Sequence, residues 1–119
     1  MAEFRVVIPT NRFDESCRFY GDVLGWPVDR AWAEPDRGVL YSAGFGAETR
    51  IELLEDPTAT PPSGVFCSVE VTDATATAAR LDAAGAEVSQ PLAVQPWGHR
   101  SVGVRDPNGL QIVLFEVLP

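Results

Sequence analysis

The side chains with chemistry to offer are few, and the familiar catalytic sets are missing. His99 is the only histidine among 119 residues. It stands in Pro96-Trp97-Gly98-His99-Arg100, where an imidazole beside a guanidinium could move a proton or bind a carboxylate. A lone histidine serves as readily as a hydrogen-bonded surface residue. Trp97, between Pro96 and Gly98, sits in a loop context that leaves an indole open for recognition. There is no Ser-His-Asp arrangement, no phosphate loop and no CxxC pair. Asp14 to Ser16 and Thr72 to Thr77 have the composition of helix starts, not of nucleophiles. Cys17 and Cys67 are too widely spaced for a zinc knuckle or a disulfide framework, and they read as buried free thiols.

Composition narrows the partners. The net charge is −8, and all nine basic residues are arginine. Phosphate backbones and anionic lipid repel such a chain, so neither nucleic acid nor a membrane is an expected partner. The acidity maintains solubility or draws a cationic ligand. Hydrophobic residues make up 45% and charged residues 22%, the balance of a folded globule, and the length suits one domain over 1–119. No apolar run has the length of a membrane span, and Met1-Ala2-Glu3-Phe4-Arg5 opens no signal peptide. The cytoplasm is the expected location.

The elements that must position these residues occur twice. Residues 4–9 alternate, with Phe4, Val6 and Ile8 on one face and Arg5 and Val7 on the other. Phe13, Cys17, Tyr20 and Leu24 follow at helical spacing until Gly25 and Pro27 end the helix. Short strands are expected near 28–33, 38–43 and 49–54, separated by Pro35-Asp36-Arg37-Gly38 and Gly44-Phe45-Gly46. The same order recurs after a Pro- and Thr-rich linker over 56–64. Val65, Cys67, Val69 and Val71 share a strand face opposite Phe66, Ser68 and Glu70. Asp73 caps a helix over about 74–84, Gly85 ends it, and strands are expected near 87–94, 99–105 and 111–117. Gly25 and Gly85 lie sixty residues apart, as do Val28 and Val88. A period of that length implies one supersecondary unit written twice, with a cleft between the copies.

Four segments carry a resemblance. They are Phe19-Tyr20-Gly21-Asp22-Val23-Leu24-Gly25, Leu81-Asp82-Ala83-Ala84-Gly85-Ala86, Pro96-Trp97-Gly98-His99-Arg100 and Asp106-Pro107-Asn108-Gly109. Together they resemble the vicinal oxygen chelate superfamily, whose members include glyoxalase I, extradiol dioxygenases and bleomycin-resistance proteins. The first and last are similar to its FYxxxLG and DPxG signatures, and the likeness spans nearly the whole chain. The resemblance implies an α+β fold of two tandem βαβββ modules, about 3–56 and 64–117, forming a curled mixed sheet around a cleft with helices on the outer face. It also implies a homodimer in which the sheets of two chains complete the sites.

Metal-dependent members of that superfamily carry four ligands, usually His or Glu, on four strands. The matching places here are Arg5, Glu52, Phe66 and Val113, and strand parity puts all four on the cleft face. Only Glu52 can donate to a metal, since arginine stays protonated and phenylalanine and valine have no lone pair. An atypical set of Glu52, Glu70 and His99 stays open as the alternative, though its spacing matches no ligand pattern. The resemblance thus implies a member without metal or cofactor. An unpaired Glu52 on an apolar wall would be costly, so Arg5 and Glu52 are expected to pair in place of the metal charge.

The remaining cleft-facing candidates are Val7, Leu54, Phe66, Ser68, Val113 and Phe115. Trp32, Tyr41 and Trp97 are expected to close its ends, and His99 is a further ligand-binding candidate. A largely apolar cleft with a few polar groups is the usual composition of a small-molecule site. The first reading is therefore a non-catalytic protein that sequesters a hydrophobic or aromatic molecule in the manner of the bleomycin-resistance-like branch. The rival is an enzyme: a lyase or isomerase resembling glyoxalase I, a dioxygenase-related enzyme, or a metal-free relative using Glu52 as general base. Arg5 nearby opposes the rise in pKa that such a base needs.

Overall fold

The computed structural model describes residues 2–44 and 48–119, so the turn expected at Gly44-Phe45-Gly46 falls mostly outside the described residues. The first half runs β1 (Phe4–Thr10), α1 (Phe13–Cys17), β2 (Val28–Trp32), β3 (Gly38–Ser42) and β4 (Thr49–Glu55). The second runs β5 (Cys67–Glu70), α2 (Ala74–Ala83), β6 (Glu87–Val94), β7 (His99–Arg105) and β8 (Gln111–Val117). Each half is strand, helix and three strands, as the repeated pattern predicts.

The strands form two four-stranded sheets, in the orders β1-β4-β3-β2 and β5-β8-β7-β6. Both are mixed, because β1 runs parallel to β4 and β5 parallel to β8 while the other pairs are antiparallel. The expectation of one curled sheet is corrected here: there are two sheets, neither strongly curled. The edge strands β1 and β5 do not pair with each other. Residues of both flank a groove of about 450 Å3 walled by the linker residues Thr58 to Pro62. Prolines in that wall lack the donors needed to extend a ladder.

Local chemistry sets the helix ends. Asp73 accepts from the backbone N–H of Ala76 at 3.0 Å, closing the first turn of α2. Gly25 (φ +72°) and Gly85 (φ +66°) take the left-handed conformation that ends each helix. The first helix departs from the regular pattern. Beyond Cys17 it widens into π-helical turns over Arg18–Val23, with the Leu24 N–H donating to the Phe19 carbonyl at 2.9 Å.

The helices cover one face of each sheet. Ile8, Val39, Tyr41, Ile51 and Leu53 of the first sheet join Val69, Val102, Val104, Ile112 and Leu114 of the second in one buried cluster. The Asp106-Pro107-Asn108-Gly109 turn clasps the two halves. Asp106, 5% exposed, accepts from the Tyr20 hydroxyl at 2.7 Å and from the backbone N–H of Asn108 and Leu110 at 2.8 and 2.9 Å. Asn108 Nδ2 donates to Ser16 Oγ at 3.1 Å, and the Thr10 hydroxyl donates to Asn108 Oδ1 at 2.5 Å. The tyrosine of one signature and the aspartate of the other are thus bonded partners. Arg80 of α2 adds a second clasp, donating to the Val23 and Asp22 carbonyls at 3.0 and 3.2 Å. No helix among the described residues is long and apolar enough to cross a membrane.

Candidate functional site

The faces turned away from the helices carry the site candidates. On the first sheet the register sets Arg5, Val7 and Pro9 beside Arg50, Glu52 and Leu54, and these beside Ser42, Leu40 and Gly38. Arg30 and Trp32 complete that face. The expected ion pair forms: Arg5 Nη1 donates to Glu52 Oε1 at 2.8 Å. Hydrogen bonds to Glu3 first and to Glu52 second push the Arg5 pKa up. Arg50 pairs with Asp29 at 3.3 Å. Trp32 lies over Gly38, where a Cβ would overlap the indole, and the Arg30 guanidinium stands 5.9 Å from the ring centre. This face is charged: Arg5 and Arg50 have carboxylate partners, and Arg30 stands against the Trp32 ring.

The corresponding face of the second sheet is different. Phe66, Ser68, Gln90, Pro91, Ala93, Gln95, Trp97, His99, Ser101, Val113 and Phe115 line a groove of about 610 Å3. His99 stacks on Phe115, with ring centres 4.6 Å apart and planes within 13°. Trp97 Nε1 donates to His99 Nδ1 at 3.2 Å, so the neutral imidazole carries its proton on Nε2. Gln95 Nε2 donates to Ser101 Oγ at 3.3 Å. None of these side chains is an acid, a lysine or an arginine. Phe66 is 63% exposed and Trp97 67%, so the groove is open on one side.

The structure therefore divides the sequence-derived candidates. Arg5, Val7, Trp32, Glu52 and Leu54 share the first sheet's face, while Phe66, Ser68, Trp97, His99, Val113 and Phe115 line the second sheet's groove. Tyr41 does neither, which corrects its expected place at the end of the cleft. Its ring is buried beside Tyr20, with centres 6.1 Å apart, and its hydroxyl donates to the Cys17 carbonyl at 3.2 Å. Burial, and then the neighbouring Cys17 side chain, raise its pKa above the ordinary phenol value. Gly38 to Tyr41 are buried in succession, so no alternation marks which side each faces. Gln90, Pro91, Ala93, Gln95 and Ser101 were not singled out by the sequence. Register shifts in β6 between Val88 and Gln90 and between Gln90 and Ala93 break its alternation, and Pro91 inside a strand is the one sign of such a bulge. Cys17 and Cys67 are half-buried free thiols, and burial raises both pKa values.

A divalent metal needs three or four N, O or S donors at bonding distance. Of the four inferred places, Arg5 and Glu52 are on the first sheet, and Phe66 and Val113 border the second sheet's groove. Only Glu52 is a donor, and Arg5 already occupies its Oε1. Among the described residues no three His, Cys, Asp or Glu side chains converge. These residues do not fit a divalent metal.

The family model of the Glyoxalase/Bleomycin resistance protein/Dioxygenase superfamily matches residues 4–114. The chain belongs to this superfamily. No curated protein matches it. Among solved structures, a glyoxalase/bleomycin resistance protein from Streptomyces sp. CB03234 is 25% identical over 95% of this chain and 98% of that one, with a TM-score of 0.75. TnmS3, an antibiotic binding protein from the same strain, is 24% identical over 98% and 96%, with a TM-score of 0.77. A superfamily member from Sphaerobacter thermophilus DSM 20745 is 23% identical over 98% and 97%, with a TM-score of 0.76. The last two likenesses are those of a shared fold.

Proposed function

We propose that this superfamily member is a metal-free binding protein that sequesters a hydrophobic or aromatic small molecule on the second sheet's groove. The observation that carries the reading is the groove itself: about 610 Å3, lined by Phe66, Trp97, Val113 and Phe115, with only neutral polar groups among them. That volume is in the range of small-molecule sites, and open indole and phenyl rings suit stacking on a planar ligand. The antibiotic-binding TnmS3, with the same fold, is consistent with this use. A second copy of the chain is the expected lid. Phe66 and Trp97 stay exposed in the single chain, and the first sheet's face of a partner, with Trp32 and Leu54 beside a neutralised Arg5–Glu52 pair, complements them.

Glu52 held by Arg5 is poorly placed as a general base, which ranks the lyase, isomerase or dioxygenase readings lower. Titration of tryptophan fluorescence with a panel of aromatic antibiotics and metabolites, with molecular mass followed by light scattering, tests the reading. Saturable quenching by a dimer is expected. A flat response across the panel, or turnover of a panel member, overturns it.

A further inference from the structure

The groove face contains a hydroxyl whose bonding is half complete. Ser101, on β7 between His99 and Gly103, is 5% exposed yet lines the groove. Its Oγ accepts from Gln95 Nε2 at 3.3 Å. A serine hydroxyl has one proton to give, and no acceptor for it stands among the described residues. A buried donor without an acceptor costs free energy, which a ligand acceptor would recover. Ser101 lies opposite Phe115 in the ladder, so its hydroxyl sits beside the ring stacked on His99. A second hydroxyl on the same face is also unmatched. Ser89 Oγ is buried without a partner among the described residues, at 2.9 Å from where a Gly103 Cβ would stand.

The groove offers amide, hydroxyl and imidazole groups but no formal charge, in a chain whose net charge is −8. A charged ligand group closed into this groove would lose its water and meet no counter-charge among the lining side chains. An uncharged acceptor would lose little and satisfy Ser101. We infer that the groove takes an uncharged aromatic ligand bearing a carbonyl-type acceptor, and that Ser101, oriented by Gln95, is the residue that reads it. This rests on the groove-binding reading above and narrows its ligand class.

Four probes with one tricyclic skeleton separate the possibilities: fluorene, fluorenone, 9-aminofluorene and fluorene-9-carboxylate. Each is titrated calorimetrically into the full chain and into Ser101→Ala and Trp97→Ala. Ser101→Ala deletes one oxygen, leaves Gln95 free to bond water, and is not expected to disturb the fold. Fluorenone is expected to bind about tenfold tighter than fluorene, roughly the worth of one buried hydrogen bond. Both charged probes are expected to bind more weakly than fluorene. Ser101→Ala should bring fluorenone to the level of fluorene and leave fluorene unchanged.

Equal affinity for fluorene and fluorenone in the parent chain overturns the inference, as does a carbonyl preference that survives Ser101→Ala. Tightest binding by either charged probe overturns it too. In each of these cases, loss of binding in Trp97→Ala would still support the groove as the site. Binding of none of the four probes removes both the inference and the reading beneath it.

Discussion

The two modules share one topology and differ in what they show on their helix-free faces. The first presents paired charges, Arg5 with Glu52 and Arg50 with Asp29, around Trp32. The second presents a groove of rings, amides and hydroxyls whose lining has no acid, lysine or arginine, with Glu70 and the Arg105–Glu87 pair kept to the margins of that face. The apolar faces turned toward the helices are alike, Ile8, Ile51 and Leu53 answering to Val69, Ile112 and Leu114. The fold therefore constrains the inner faces and leaves the outer ones free to diverge. The chemistry of a βαβββ pair cannot be read from its architecture, only from the residues standing on these outer faces.

The largest effect is expected at the joint that makes the two modules one body. Asp106→Ala would strip partners from the Tyr20 hydroxyl and two backbone N–H groups at a buried position. We expect a loss of at least about 3 kcal/mol, seen in the denaturant midpoint. A loss within about 0.5 kcal/mol, as at an ordinary surface site, would show that the modules hold together without this clasp. Next comes the second face. Trp97→Ala should weaken an aromatic ligand about thirtyfold, the scale of a hot-spot ring. If only the corresponding Trp32→Ala does so, the roles assigned to the two faces are reversed.

Charge sharpens the contrast at lower magnitude. Val113→Glu would place a carboxylate in the neutral groove and should cut ligand affinity by about tenfold or more. Arg5→Met removes an existing charge from the first face. Because that guanidinium is well exposed, stability should stay nearly unchanged in thermal melts. A larger stability loss from Arg5→Met than from Val113→Glu would contradict the distinction between the faces.

The smallest effect is one of pH. Hydrogen bonding from Arg37 holds the Glu55 carboxyl below its usual range. A carboxyl with a lowered folded pKa stabilises the fold above its unfolded pKa, and that contribution fades as pH falls through the folded value. Acid should therefore loosen the first module through Glu55. Glu55→Gln should flatten this part of the acid limb in melts at stepped pH, and parallel curves for the two chains would refute the assignment.

Much of the scaffold could be read from residue order. The sixty-residue repeat, the glycines at 25 and 85 and the alternation of residues 4–9 each correspond to an observed element. Such signals are local, because a helix end or a pleat is decided within a few residues. What stayed hidden depends on relations between distant segments. Nothing in β1 or β5 alone announces that they will not pair across the Pro-rich linker. Tyr41 was illegible because β3 is apolar toward both sides. Ser101 and Gln95 were passed over because their meaning lies in bonding to each other beside Phe115, not in their types. The widened first helix was missed as well. It carries Tyr20, whose partner Asp106 stands eighty-six residues later.

One consequence of Gly38 remains. With no side chain beneath it, the Trp32 indole rests against Gly38, and any larger residue there would displace it. A plate already laid down has little motional freedom left to surrender when a guest stacks on it. Swapping that single hydrogen for a methyl would turn a fixed shelf into a loose flap, without touching the shelf itself.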